Sequence, residues 1–339
     1  MTATRQRPLF LAALVFALAI LFVPSAPSIR RLNVQPDGSL LLERATANDL
    51  RTDPVHPFHL HGKLLVWNNG DKPIEGTYEI YWLGWENRSE VIVMPGYQRV
   101  EVWGRDKMWQ SRSIPYEPVR FVQLQHMLSG FHADLRLGGD DKIVNVSERN
   151  DKGIRRTCIA IHPAYGPDRE MCIDPTSADL LSESISGDND EVREFSDYRV
   201  FADKRYPALI RLTYHNRPAV ELRVDQISPL PQNATLKPPD GAEVWESCES
   251  ARAARRVDKT VPDYPPLARR EIQSGTVALY GVIEEDGSLS HLKVVESAFP
   301  MLNDAALAAA RKFRFEPATC GGKPIRIETQ FEVRFKLGQ

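Results

Sequence analysis

Residues 275–295 read GTVALYGVIEEDGSLSHLKVV. Two apolar runs, 275–283 and 289–295, flank Glu285, Asp286, Gly287 and Ser288. An Asp-Gly pair between such runs is the strongest short-range hairpin signal, because a tight turn needs residues that tolerate positive φ. Downstream, Asn303 can cap a helix, Asp304 sits beside its positive end, and Leu302 can staple onto Leu307. Leu302, Ala306, Ala309 and Phe313 share one face of that helix, and Arg311 and Lys312 suit its last turn. After a turn at Gly321 and Gly322, Ile325, Ile327, Thr329, Phe331, Val333, Phe335 and Leu337 alternate with Arg326, Glu328, Gln330, Glu332, Arg334 and Lys336. This alternation predicts a long half-buried strand over 325–337. With a short helix expected near 267–273, the order helix, hairpin, helix, strand specifies a small α+β module: a three-stranded antiparallel sheet and two helices.

Outward from that module, residues 33–236 are dominated by short runs of period 2 separated by turn signals, which predicts a curved antiparallel half-barrel. Strands are expected over 59–67, 77–85, 90–94, 99–103, 142–147, 155–162, 169–174, 180–185, 193–201, 207–214 and 219–226. One helix is expected at 118–130, where Pro118 suits a first turn, Phe121, Leu124 and Leu128 recur at helical spacing, and Gly130 follows as a stop. Pro229, Pro231, Pro238 and Pro239 mark a boundary, with 237–249 read as a linker and 250–339 as the C-terminal domain.

The chain of 339 residues has 42% hydrophobic and 26% charged residues, enough to build cores and unlike a disordered chain. Its net charge of -2 provides no bulk field for a polyanion, so nucleic acid is not expected as a partner. Arg5 and Arg7 precede an uninterrupted apolar run at 9–23, closed by Pro24 and small residues. Fifteen helical residues span about 22 Å, short of the roughly 30 Å hydrocarbon core, so residues 1–28 read as a cleaved signal peptide, with a retained signal anchor as the alternative. Either reading exports the remainder and implies an extracytoplasmic body, tethered to the membrane if the segment is uncleaved; with the resemblance described below, that body is expected to be periplasmic and the tether to lie in the inner membrane.

Export makes oxidation of the four cysteines expected. Cys158 and Cys172 lie on neighbouring expected strands, Cys248 precedes the C-terminal module and Cys320 sits in its Gly-rich turn. Pairing 158 with 172 and 248 with 320 would close loops worth roughly 3 and roughly 4 kcal/mol. His56, His59 and His61 cluster, but no spacing supplies a further ligand, and Cys158, His162 and Cys172 lack a Cys-x-x-Cys pattern; no metal site is expected. There is no nucleophile elbow, no His-Glu-x-x-His and no phosphate-cradling glycine loop. Neither a catalytic residue nor a cofactor is expected, and the protein is not read as an enzyme.

The segments Tyr264-Pro265-Pro266-Leu267-Ala268-Arg269, Gly275-Thr276-Val277, Asp286-Gly287 and Phe313-Arg314-Phe315-Glu316-Pro317-Ala318, with the helix at 302–313 between the last two, resemble the TonB C-terminal domain family over about residues 250–339. The resemblance implies a periplasmic domain that grips the TonB box peptide of outer-membrane receptors by strand addition and, in full transducers, delivers energy from an inner-membrane motor. Transmembrane segments of such transducers carry a polar Ser and His, which residues 9–23 lack, and the long Pro-rich rod is absent too. The expected peptide-binding edge comprises Ile325, Arg326, Ile327, Glu328, Thr329, Gln330, Phe331, Glu332, Val333 and Arg334. Its alternating charges also suit an ordinary protected edge, and the same edge could support a homodimer.

Gly76-Thr77-Tyr78-Glu79, Pro95-Gly96-Tyr97 and Phe195-Ser196-Asp197-Tyr198-Arg199, with Tyr206-Pro207, resemble the LolA-like lipoprotein carrier superfamily. That resemblance implies an alternative role as a carrier of lipid or lipoprotein cargo, with Trp82, Trp85, Trp103 and Trp109 either lining a cavity or filling the core.

Overall fold

The computed structural model describes residues 37–337 apart from 54, 69–71, 120–134, 136, 139, 152, 165–166, 187–190, 215, 247, 249 and 259. The apolar segment at 9–23 lies outside the described residues, as does the expected helix at 118–130 beyond its first two positions.

The described chain opens with α1 (Gly38–Ala47), a helix within a stretch read as strands. Asp37 caps it, its carboxylate accepting from the Ser39 and Leu40 amides at 3.0 and 3.3 Å. Leu41, Leu42 and Ala45 turn inward. Then follow β1 (Phe58–Val66), β2 (Ile74–Gly84), β3 (Asn87–Met94), β4 (Tyr97–Trp103), β5 (Lys107–Arg112), β6 (Lys142–Asp151), β7 (Ile154–His162), β8 (Arg169–Ile173), β9 (Leu180–Ile185), β10 (Glu191–Phe201), β11 (Lys204–Tyr214), β12 (Arg217–Pro229) and β13 (Glu243–Glu246).

These strands form one antiparallel sheet of 13 strands in the order β13-β5-β4-β3-β2-β1-β12-β11-β10-β9-β8-β7-β6. The chain runs down one wing from β1 to β5 and returns through the other from β6 to β12, and β1 pairs with β12 to join them. The sheet stays open, with β13 and β6 as its margins. Alternation sets its inner face: Phe58, Leu60, Leu64 and Val66 of β1 are buried while their neighbours are half-buried. Two strands depart from the sequence reading. β5 was not expected, and β13 lies within the stretch read as linker yet pairs with β5 from Glu243↔Gln110 to Glu246↔Lys107. Cys158 is bonded to Cys172 across the β7–β8 pair.

The C-terminal part comprises β14 (Ala251–Arg252), β15 (Arg255–Arg256), α2 (Pro266–Arg270), β16 (Gly275–Ile283), β17 (Leu289–Ser297), α3 (Asn303–Ala310), β18 (Phe315–Glu316), β19 (Ala318–Cys320), β20 (Lys323–Ile325) and β21 (Ile327–Phe335). Its main sheet has the order β17-β16-β21, antiparallel throughout. Leu302, Ala306, Ala309 and Phe313 are at most 4% exposed, and they pack with Val277, Leu279, Val333 and Phe335 into the module's core. The Asp-Gly turn joins β16 to β17, with Gly287 at φ +79°. The Gly287 carbonyl accepts from the Phe315 amide at 2.9 Å, and a Cβ on Gly287 would lie 1.9 Å from the Phe315 carbonyl oxygen. Glycine is therefore needed twice here, for the turn and for the approach of the chain leaving α3. Tyr264 meets Phe335 edge-on at 5.7 Å and its hydroxyl donates to the Gln273 carbonyl.

Asn303 departs from its expected role. It lies inside α3 with helical dihedrals, because a 3-10 turn at Pro300–Leu302 precedes the helix, and its Oδ1 is buried without a hydrogen-bond partner. Cys248 is bonded to Cys320, tying the chain ahead of the module to β19.

Asp258 holds the approach to the module. Its carboxylate accepts from Arg256, from the Thr260 amide at 2.7 Å and from the Arg314 amide at 2.8 Å. The Arg256 hydrogen bonds, outweighing the opposing effect of burial and aided by those two amides, hold the carboxyl well below the usual carboxylate range. A folded-state pKa below the unfolded one gives stability that is present above about pH 4 and lost as pH falls further. Thermal unfolding of the parent and Asp258→Asn should therefore differ most at pH 7, with the difference beginning to narrow below about pH 4 and narrowing further as the pH is lowered; a constant difference would contradict the assignment.

Candidate peptide-binding site

β21 pairs with β16 along its whole length, from Ile327↔Ile283 to Phe335↔Gly275, and among the described residues no strand pairs with its other side. Among the described residues β21 is therefore the margin of its three-stranded sheet. Ile325 and Arg326 are not part of this edge. Ile325 belongs to β20 and pairs with Ala318, while Arg326 is an exposed connector whose Nε lies 3.6 Å from Glu284. The remaining eight residues of the expected edge, Ile327, Glu328, Thr329, Gln330, Phe331, Glu332, Val333 and Arg334, lie on β21.

The two faces of β21 differ from a simple buried and solvated pair. Phe331, Val333 and Phe335 pack toward α3. Glu328, Gln330 and Glu332, whose charge pattern suggested a solvent face, meet the large sheet and its flanking segment. Arg112 of β5 donates to both Glu328 oxygens at 2.9 and 2.7 Å. Gln330 donates to the Val119 carbonyl at 2.9 Å, and the Tyr214 hydroxyl donates to Glu332 at 2.9 Å. Only Arg334 of this polar series within β21 is exposed. The central strand β16 is accordingly covered on both sides, with Ala278, Tyr280 and Val282 as well as Val277 and Leu279 at most 4% exposed.

Behind Arg112 lies a buried charge cluster. Arg99 is 1% exposed and lies 3.5 Å from both Glu101 and Glu117. Glu117 also accepts from the Tyr97 hydroxyl and lies 3.9 Å from Arg112. Burial pushes the Glu117 carboxyl up, and Arg99, the Tyr97 hydroxyl and Arg112 offset only part of that rise. Burial acts to lower the Arg112 pKa, but the hydrogen bonds and charge of Glu328, with Glu117, hold it above the ordinary value. Tyr280, across from Gln330, is pushed up to about 12 by burial and by the Glu328 carboxylate.

A cavity of about 420 Å³ opens between this end of the large sheet and β21. Trp103, Met108, Gln110 and Trp245 form one wall, Ile327 to Gln330 the other, and Glu101, Glu117 and Tyr280 complete it. The Arg88 guanidinium stacks over the Trp103 ring at 4.1 Å. Of the four tryptophans considered from sequence, only Trp103 lines this cavity. Trp82 is a core residue beside Phe58 at 6.3 Å, and Trp85 is 47% exposed under the Arg51 guanidinium.

The histidine cluster is divided among separate carboxylates. His56 pairs with Asp53 at 2.7 Å, His59 with Glu79 at 2.9 Å and His61 with Asp225 at 3.5 Å. The sole described group with metal-ligand proximity, Cys158, Glu170 and Cys172, contains two sulfurs already bonded to each other. Among the described residues no helix is long and apolar enough to cross a membrane.

Sequence reasoning missed Arg112, Val119, Tyr214 and Trp245. In β5 the alternating sets are Lys107, Trp109, Ser111 and Met108, Gln110, Arg112, so neither face is apolar enough to produce a period-2 signal. Trp245 was the available hint, a large aromatic residue in a stretch read as linker.

Residues 260–337 match the C-terminal family of the Gram-negative bacterial TonB protein. No curated protein matches the chain. Among solved structures, a LolA superfamily protein from Nitrosomonas europaea is similar with a TM-score of 0.41 and 10% identity, over 59% of this chain and 97% of that one. A DUF1329 family protein from Desulfovibrio piger is similar with a TM-score of 0.38 and 12% identity, over 57% of this chain and 91% of that one.

Proposed function

We propose that this chain is a periplasmic TonB-like protein that binds an extended peptide segment of an outer-membrane receptor, or of another envelope protein, by strand addition along β21. The observation that carries the reading is that, among the described residues, no strand pairs with the outer side of β21, within the segment that matches the TonB C-terminal family. In strand addition the guest's main-chain N–H and C=O groups pair with those of the margin, and the side chains beside it set which sequence is accepted. The activity is binding, and it needs no group beyond the twenty amino acids. The ion pair and hydrogen bonds from Arg112, Val119 and Tyr214 support the reading by fixing β21 against a large sheet, so that little order is lost when a guest arrives.

Isothermal titration of the full chain with a TonB box peptide from an outer-membrane receptor tests this. Saturable binding is expected, and it should disappear when alternate residues of the peptide are replaced by proline, which cannot donate to a ladder. Absence of binding, or equal binding of the proline-substituted peptide, would exclude strand addition.

A further inference from the structure

The C-terminal module exposes apolar side chains where the chain enters it. Val257, Val261, Leu267 and Ile272 are all exposed, and Val261 at 79% and Ile272 at 77% are the most exposed large apolar residues among those described. Apolar side chains scattered singly over a surface need no explanation, but four between 257 and 272 form a cluster.

Ile272 also holds a backbone position that disfavours it. α2 ends in a Schellman turn: the Gln273 amide donates to the Ala268 carbonyl at 2.9 Å, and the Ile272 amide donates to the Arg269 carbonyl at 3.2 Å. The residue after the cap of such a turn is left-handed, and Ile272 has φ +53°. Glycine is the usual occupant, and a β-branched residue there is an outlier. A strained backbone position points to a role for the side chain it carries. This side chain gains little burial within the chain, so its role is a contact with something outside.

The same region carries cations without carboxylate partners. Arg255 pairs with Glu316 and Arg256 with Asp258. Arg269 and Arg270 in the last turn of α2, and Arg311 and Lys312 just after α3, are exposed and form no ion pair among the described residues. Asp263 and Glu271 are the carboxylates left over in these segments, so the balance is positive. The chain between β15 and α2 links the two pairs of cations. Its start is tied to the exit of α3, where the Val257 amide donates to the Arg314 carbonyl at 2.9 Å and the Arg256 guanidinium lies over the Phe313 ring at 3.4 Å. Its end is tied to the exit of α2, where the Tyr264 hydroxyl donates to the Gln273 carbonyl and the Tyr264 ring lies 5.8 Å from the Arg269 guanidinium.

Apolar side chains projecting among unpaired cations complement a surface that is anionic at its margin and apolar beneath. An acidic protein would meet the cations and leave Val261 and Ile272 in water. A bilayer with anionic headgroups meets both. We infer that this face of the module is a membrane-contact surface, on which Arg269, Arg270, Arg311 and Lys312 meet lipid phosphates while Val261 and Ile272 enter the interfacial layer. The inference does not depend on how β21 is used.

The test is co-sedimentation with vesicles of phosphatidylcholine alone or with phosphatidylglycerol added at roughly one part in four. The chain from Ile29 is used, since the apolar run at 9–23 would itself enter a bilayer and the described fold begins at residue 37. Binding is expected on the anionic vesicles and not on the neutral ones, and it should fall steeply with added salt. Arg269→Gln with Arg270→Gln should weaken it about thirtyfold, the effect of two charges at an anionic surface. Ile272→Gly and Val261→Ser should each weaken it about tenfold by removing an inserted side chain. Ile272→Gly also relieves the left-handed strain and should unfold at or above the parent's temperature, so its weaker binding cannot come from lost folding. Val200→Thr, at an exposed apolar position of β10, should bind as the parent does. No binding to anionic vesicles, or equal binding to neutral ones, would overturn the inference. So would binding that is lost in the arginine variant yet unchanged in both Ile272→Gly and Val261→Ser, because the cations alone would then account for it. Binding of a soluble polyglutamate peptide by a chain that ignores the anionic vesicles would assign the face to an acidic protein and overturn the bilayer reading.

Discussion

Replacing Arg112 with leucine is expected to destabilise the protein by about 3–5 kcal/mol, because it removes one partner of a largely buried ion pair and leaves the other behind. The Arg112 side chain is 7% exposed, and it serves two carboxylates, Glu328 at 2.7 Å and Glu117 at 3.9 Å. Glu117 keeps Arg99 and the Tyr97 hydroxyl in the variant. Glu328 keeps its hydrogen bond with Tyr280 and loses the cation that spans both its oxygens. The double variant Arg112→Leu with Glu328→Leu should recover a large part of the loss, since replacing both members of a buried pair by apolar groups is far less costly than removing one. Lysine at 112 should rescue only partly, because it keeps the charge but loses the planar fork. Urea unfolding monitored by tryptophan fluorescence would measure all three variants. Equal stabilities of the leucine variant and the parent would show that this contact does not secure β21 to the large sheet.

Loss of the Cys248–Cys320 bond, through Cys248→Ser with Cys320→Ser, is expected to cost roughly 4 kcal/mol in the chain-entropy picture. The bond spans a sequence separation of 72 residues, against 14 for Cys158–Cys172, whose loss should cost roughly 3 kcal/mol. The difference between the two grows only with the logarithm of loop length, so the larger loop matters chiefly for what it encloses. Within it lie β14 to β18, α2 and α3, and Cys320 pairs in register with Ala251. Opening this bond should therefore loosen the C-terminal module before the large sheet, which is tied by continuous ladders. Hydrogen exchange of the double-serine variant would report faster opening of β16 and β17 than of β1 and β12. Uniform acceleration throughout the chain would contradict that localisation.

The parts of the fold readable in sequence are those whose local pattern and tertiary environment agree. The Asp286-Gly287 turn joins the two strands that flank it, and the stripe of Leu302, Ala306, Ala309 and Phe313 and the alternation through Phe331, Val333 and Phe335 point inward as their spacing predicts. Legibility fails where polar residues face protein instead of water. Glu328, Gln330 and Glu332 have the composition of a solvated face, yet each meets a partner more than 100 residues away. β5 fails for the same reason, since Gln110 and Arg112 are buried among carboxylates. The short helix α1 was obscured because its three consecutive leucines, Leu40, Leu41 and Leu42, show no clear period, and Asp37 was not recognised as its cap. The candidate site was thus half legible: the module and its edge were, whereas the wall supplied by Trp103, Gln110 and Trp245 depends on β13 folding back from a proline-rich stretch onto β5.

The central claim is that a guest chain adds as a further strand along the outer side of β21. Amide hydrogen exchange of the full chain, with and without a receptor-derived TonB box peptide, tests it most directly. The account predicts that added peptide slows exchange most strongly at alternate amides within residues 327–335, the period expected when one side of a strand gains a ladder. Slowing confined to other strands, or no slowing along β21 at saturating peptide, would contradict it.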